Sequence, residues 1–156
     1  MPKLVILTAC ERVLIERVSS LPSLINIFQR MDVQVIPDTP IAPNAVAAIR
    51  WAVFALWMHT PEERGIEYTQ RTEIVGASGN KFIDVVNKFS ITDADDLQSK
   101  NHIDVLGLPI DTEGFVKIRI WLEGVADTSA EYQFAVRHQS QKKETHENAA
   151  NSNPAI

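Results

Sequence analysis

The stretch Ala45-Val46-Ala47-Ala48-Ile49-Arg50-Trp51-Ala52-Val53-Phe54-Ala55-Leu56-Trp57-Met58 decides the fold, because it is the longest apolar run in the chain and admits two readings. Its five alanines follow Asn44, a good N-cap residue, and would suit a helix. Against this, Ala47, Ile49, Trp51, Val53, Ala55 and Trp57 form an unbroken alternate apolar set, while Arg50 interrupts the other set. A period of two is the signature of a strand, so the balance favours a buried strand over residues 45–58.

Working outward, Pro37, Pro40 and Pro43 precede the stretch within seven residues. Each proline fixes φ and removes a backbone donor, which predicts a rigid loop there. Further upstream, Ile25, Ile27, Met31, Val33 and Val35 alternate with Asn26, Arg30, Asp32 and Gln34, predicting one long strand bent near Gln29. Residues 4–15, rich in Val, Ile and Leu, predict the first strand.

Downstream, Pro61 and Gly65 mark a polar connection, after which Ile66, Tyr68, Gln70, Thr72 and Ile74 share one face. Glu67, Thr69, Arg71 and Glu73 share the other, as in a half-solvated antiparallel strand. The turn Gly76-Ala77-Ser78-Gly79-Asn80 then predicts a hairpin returning through residues 82–91. Residues 93–101 are polar and suit at most a helical turn, and residues 103–110 read as a short apolar strand. The clearest strand follows Gly114, with Val116, Ile118, Ile120 and Leu122 on one side and Lys117, Arg119 and Glu123 on the other. Tyr132, Phe134 and Val136 predict a last strand. From Gln139 onward the chain has almost no large apolar residue to offset the entropy of ordering it.

These segments predict an all-β domain over residues 1–138, a single antiparallel β-sandwich of about seven or eight strands, immunoglobulin-like or similar. A disordered tail over residues 139–156 completes the expected organisation. A length of 156 residues fits one domain, and a net charge of −5 argues against nucleic acid as a partner. No apolar run approaches the roughly 20 residues that cross a bilayer, so no membrane span is expected. Cys10 is the only cysteine, which precludes an internal disulfide and suits a reducing, cytoplasmic compartment. Leu7-Thr8-Ala9-Cys10 has the spelling of a lipoprotein cleavage site, but only six residues precede Leu7, short of a signal peptide.

Several segments together resemble an uncharacterised bacterial family known only as a domain of unknown function. They are Thr8-Ala9-Cys10-Glu11, Ser23-Leu24-Ile25-Asn26-Ile27-Phe28, the prolines before residue 45, the hairpin over residues 65–82, and Gly114-Phe115-Val116-Lys117-Ile118-Arg119-Ile120. The resemblance implies a small β-sandwich and a strand over residues 45–58, and it implies no activity. Longer loops over residues 92–113 depart from the family's usual compact form and leave the pairing of the strand near Ile103 open.

The chemistry legible in the chain is sparse. His59, His102, His138 and His146 lack the spacing that places two imidazoles on one metal. Asp93, Asp95 and Asp96 supply hard oxygen donors without the calcium-loop pattern, and read as a solvated loop or a helix cap. Cys10 sits in an apolar strand beside Glu11 and reads as a structural thiol. No nucleophile elbow, phosphate loop or dinucleotide-binding glycine pattern is present, so no catalytic residue, metal or cofactor is assigned. Trp51 and Trp57 belong to the expected core, whereas Phe115, Lys117, Arg119 and Trp121 share a polar face. That face is the expected contact surface of a non-catalytic module that binds a protein partner or associates with itself. The alternative is an accessory module holding a glycan or small ligand on exposed aromatics.

Overall fold

Residues 46–58 form a strand, and the reason lies on both of its edges. In the computed structural model, which describes residues 1–92 and 97–140, this strand is paired on both sides in a four-stranded sheet. The strands in chain order are β1 (Lys3–Ile15), β2 (Pro22–Ile27), β3 (Arg30–Val35), β4 (Val46–Met58), β5 (Glu67–Val75), β6 (Lys81–Ser90), β7 (Gln98–Pro109), β8 (Gly114–Leu122) and β9 (Ala130–Ser140), with one 3₁₀ turn at Pro61–Glu63. One sheet has the order β2-β1-β4-β7 and the other β3-β9-β8-β5-β6. The architecture is all-β and sandwich-like, with nine strands among the described residues against an expectation of seven or eight.

The core lies between the sheets. Trp51 and Val53 of β4 meet Ile74 of β5, Val116 and Ile118 of β8 and Phe134 of β9, all buried. A second cluster joins Ala55 and Trp57 to Tyr68, Ile120 and Leu122. The alternation expected for β5 and β8 is present: Tyr68, Gln70, Thr72 and Ile74 are buried in turn, as are Val116, Ile118, Ile120 and Leu122. On β4 the second set is buried as well, with Ala52 beside Cys10 and Phe54 beside Thr8 on the opposite face.

Two polar anchors brace the core, the first between the layers and the second within the four-stranded sheet. The Trp57 indole N–H donates to Gln70 Oε1 at 2.7 Å, and Asn101 Nδ2 donates to the same oxygen at 2.9 Å. The Gln70 amide in turn donates to Thr72 at 3.2 Å, so a fully buried glutamine is satisfied from β4, β5 and β7 together. At the other end, the Trp51 indole donates to the Gly107 carbonyl at 2.7 Å.

Three expectations are corrected here. The single bent strand over residues 25–35 is two strands in different sheets, because Asn26 takes a left-handed φ of 51° and the chain crosses between the layers at Phe28 and Gln29. The Phe28 N–H bonds to Ala9 of β1 at 3.3 Å, while its carbonyl accepts from the Tyr132 hydroxyl at 2.9 Å and the Gln29 carbonyl from Ala135 at 2.8 Å. The sandwich is also not wholly antiparallel, since this crossing delivers β3 parallel to β9. Finally, β7 begins at Gln98 within the stretch expected to be loop, because it pairs with the whole length of β4.

At the C-terminal side, β9 runs to Ser140, and Gln139 and Ser140 pair with Gln34 and Val35. The last strand therefore continues two residues past residue 138. The rest of the expected tail, and Asp93, Asp95 and Asp96, lie outside the described residues.

Candidate functional site

The outer face of the five-stranded sheet carries the residues singled out from sequence. Phe115, Lys117, Arg119 and Trp121 all lie on it, in register with Ala135, Gln133 and Glu131 of β9 and with Arg71, Glu73 and Val75 of β5. Phe115 is exposed, but Trp121 is half-buried under the Arg71 guanidinium, whose carbon stands 5.8 Å from the ring centre. Six steps of strand set the two residues about 20 Å apart along β8, with Lys117 and Arg119 between them. They do not form one aromatic platform.

What fills this face is charge. Arg71 donates to both carboxylate oxygens of Asp84, at 2.8 and 2.7 Å, and Lys81 reaches Glu73 and Asp84. Arg119 bonds Glu131 at 2.8 Å and Lys88 bonds Glu67 at 2.7 Å. The Arg71 and Lys81 hydrogen bonds hold the Asp84 carboxyl well below the usual carboxylate range. Neighbouring strands thus place opposite charges across from one another, the arrangement of a solvated sheet face.

Sequence reading missed a different surface, at the far end of β1. β1 pairs with β4 only from Lys3↔Met58 to Cys10↔Ala52, and from Cys10 to Ile15 it pairs with β2 instead. β4 continues alone with β7 to Val46↔Pro109. The four-stranded sheet therefore splits at Cys10, and residues 11–27 leave it as a two-stranded arm. Leu14, Ile15, Val18, Leu21, Ile25 and Ile27 on this arm are exposed, Val18 by 94%. Six of the fifteen exposed large apolar residues of the described chain thus fall in one 14-residue segment. Scattered exposed apolar residues need no explanation, but a cluster marks a contact surface. The signal was present in Leu14, Ile15, Ile25 and Ile27, whose apolar side chains exceed what one sheet face can bury.

Two clefts open at the base of the arm. One of about 420 Å³ lies between β1, β4 and β7, lined by Glu11, Arg12, Arg50, Trp51 and Asp104. The other, about 460 Å³, lies on the β2–β3 side over Ile27, Phe28, Met31 and Ile49, with Glu11 and Arg50 at its rim. Glu11 accepts from Asn26 at 2.6 Å and Asp32 pairs with Arg30 at 3.1 Å. Among the described residues Arg50 makes no ion pair.

A buried polar cluster sits at the opposite end of the sandwich. Glu63 accepts from the Thr60 N–H at 2.8 Å and the Tyr68 hydroxyl at 3.0 Å, and pairs with the Met1 amino group at 2.7 Å. Burial pushes the Glu63 carboxyl up, but these hydrogen bonds together outweigh it and hold the group below its ordinary range. Burial and then the Glu63 hydrogen bond push the Tyr68 hydroxyl up to about 12. The His59 ring packs against Tyr68 and Phe89, with no hydrogen-bond partner for either nitrogen among the described residues. Its Nδ1 stands 4.0 Å from Glu63, and burial lowers its basicity.

The remaining candidates stay apart. His138 contacts the Ile110 carbonyl at 2.8 Å, His102 is exposed on β7, and His146 lies outside the described residues. No group of three or more His, Cys, Asp or Glu converges among the described residues. The Cys10 thiol is buried, which raises its pKa and keeps it protonated. Among the described residues no helix is long and apolar enough to cross a membrane. No protein-family model matches the chain, and no curated protein is significantly similar to it.

Proposed function

We propose that this chain is a non-catalytic β-sandwich module that acts through protein contacts, and that the arm of residues 11–27 is its contact surface. One observation carries the reading: six exposed large apolar side chains gathered on a projecting hairpin that the core does not cover. An apolar cluster of this kind gains free energy by burial against another protein, whereas the charge-paired face around Trp121 is already satisfied by its own neighbours. A single buried thiol suits a reducing, cytoplasmic setting.

A finer fold assignment and a kinship belong to the same proposal. The immunoglobulin-like reading is supported by the strand order, in which β4 and β7 of one sheet and β5, β8 and β9 of the other would correspond to strands B and E and to C, F and G. β1 would then be an addition inserted beside β4. Kinship with the uncharacterised bacterial β-sandwich family is supported by segments that fall on β1, the β2–β3 crossing, the β5–β6 hairpin and β8.

The test is the native size of the full chain in extracts of the cells that make it, for the wild type and for Val18→Asp with Ile25→Lys. The expected result is an assembly larger than 17.5 kDa that the double variant loses. A wild-type chain migrating as a monomer would refute the reading.

A further inference from the structure

We propose that two copies of this chain associate through the arm, lying antiparallel along their β2 edges so that the tip of each arm seats in the cleft at the base of the other. The inference rests on the contact reading above and names the partner.

The edges of the two sheets are not alike. β3 carries Arg30 and Asp32, β6 carries Lys81, Asp84 and Lys88, and β7 carries Lys100 and Asp104. Charges of this kind keep strand edges from pairing with other chains. The edges freed where β1 leaves β4 carry Glu11, Arg12 and Arg50, so β2, Pro-Ser-Leu-Ile-Asn-Ile, is the outermost strand without charge, its proline and the positive-φ Asn26 standing toward its two ends. Its outward backbone groups and its exposed Ile25 and Ile27 are therefore open to another strand without electrostatic cost.

A second copy of β2 is the strand that fits. Antiparallel pairing of two identical strands about a two-fold axis is self-complementary, so each contact is made twice. β2 is about 20 Å long, and antiparallel overlap along that length sets the Pro22 end of one copy beside the Ile27 end of the other. The turn over residues 16–21 thus arrives at the cleft of about 460 Å³ floored by Ile27, Phe28, Met31 and Ile49. Val18 and Leu21 of the turn are 94% and 61% exposed and match that apolar floor. One charge on each side can also pair, with Arg17 beside Glu16 on the turn and Glu11 beside Arg50 on the rim. Arg50 at the rim makes no ion pair among the described residues, and Glu16 on the turn is exposed, with Ser19 donating to its carboxylate. The arrangement brings Glu16 of each copy to Arg50 of the other.

Sedimentation or light scattering on the purified full chain over a concentration series tests this. The wild type should give a mass of twice 17.5 kDa. Ile25→Lys at the edge and Val18→Asp at the tip should each raise the dimer dissociation constant about tenfold or more while the circular dichroism spectrum stays that of the wild type. Glu16→Arg and Arg50→Glu should each weaken the dimer about tenfold, and the two together should restore it to within about threefold of wild type. A dimer indifferent to Ile25→Lys and Val18→Asp, or a charge swap that does not restore, overturns the arrangement. A pure wild-type chain that stays monomeric yet migrates in a larger assembly in extract overturns the second copy as partner and leaves the contact reading standing. A monomer in both refutes both.

Discussion

Gln70 and Gly107 carry more of this fold than their residue types suggest. Gln70 is the common acceptor for Trp57 and Asn101, so Gln70→Leu keeps the volume but strands the buried Trp57 donor and the half-buried Asn101 donor. A loss of about 2–3 kcal/mol is expected, read as a lower urea midpoint. Gly107 has a φ of 105°, and a Cβ there would stand 2.6 Å from Val46 Cγ1 and 3.2 Å from Phe82 Cζ. Gly107→Ala should cost about 2 kcal/mol or more through strain and clash together, measured in the same way. His59 gives a pH dependence. Burial holds its folded-state pKa below 6.5, so the unfolded chain takes up this proton first as the pH falls. Stability from the neutral imidazole is whole above pH 6.5 and declines below it, and the lowered Glu63 carboxyl adds a further loss only below 4.5. Melting temperatures at pH 7, 6 and 5 should fall for the wild type and fall less for His59→Leu across that window.

At the scale of elements, the strands legible in the sequence are those with one wet and one dry face. On β5 and β8 a strict alternation specifies register, because a one-residue slip would turn every apolar side chain outward. The same logic misled over residues 25–35, where the alternation continues through a sheet change that only the Asn26 backbone and the bonds of Phe28 and Gln29 reveal. It also passed over the arm, since apolar residues on both faces of β1 and β2 read locally as a buried strand. The charge-laden face of the larger sheet predicts a different response. Its ion pairs are exposed and screened by water, so Asp84→Asn should shift the melting temperature by no more than about 2 °C despite its close hydrogen bonds.

For the whole molecule, the sheets share one core through Trp51, Trp57 and Gln70 and are laced by the β2–β3 crossing. Unfolding at a fixed protein concentration should therefore be a single transition, with tryptophan fluorescence and far-ultraviolet circular dichroism coincident in urea. Separate midpoints would show that the sheets come apart independently. The sequence by itself determined what local physics can determine: the β class, the faces of β4, β5 and β8, the proline loop and the absence of familiar catalytic motifs. These depend on side-chain period and turn chemistry, which act over a few residues. The tertiary structure alone decided the parallel pairing of β3 with β9, the split at Cys10, the projection of residues 11–27 and the approach of Met1 and Phe89 to Glu63 and His59. Those features arise from contacts between segments distant in the chain, where the free energy of a pairing depends on what each strand edge finds beside it rather than on its own sequence.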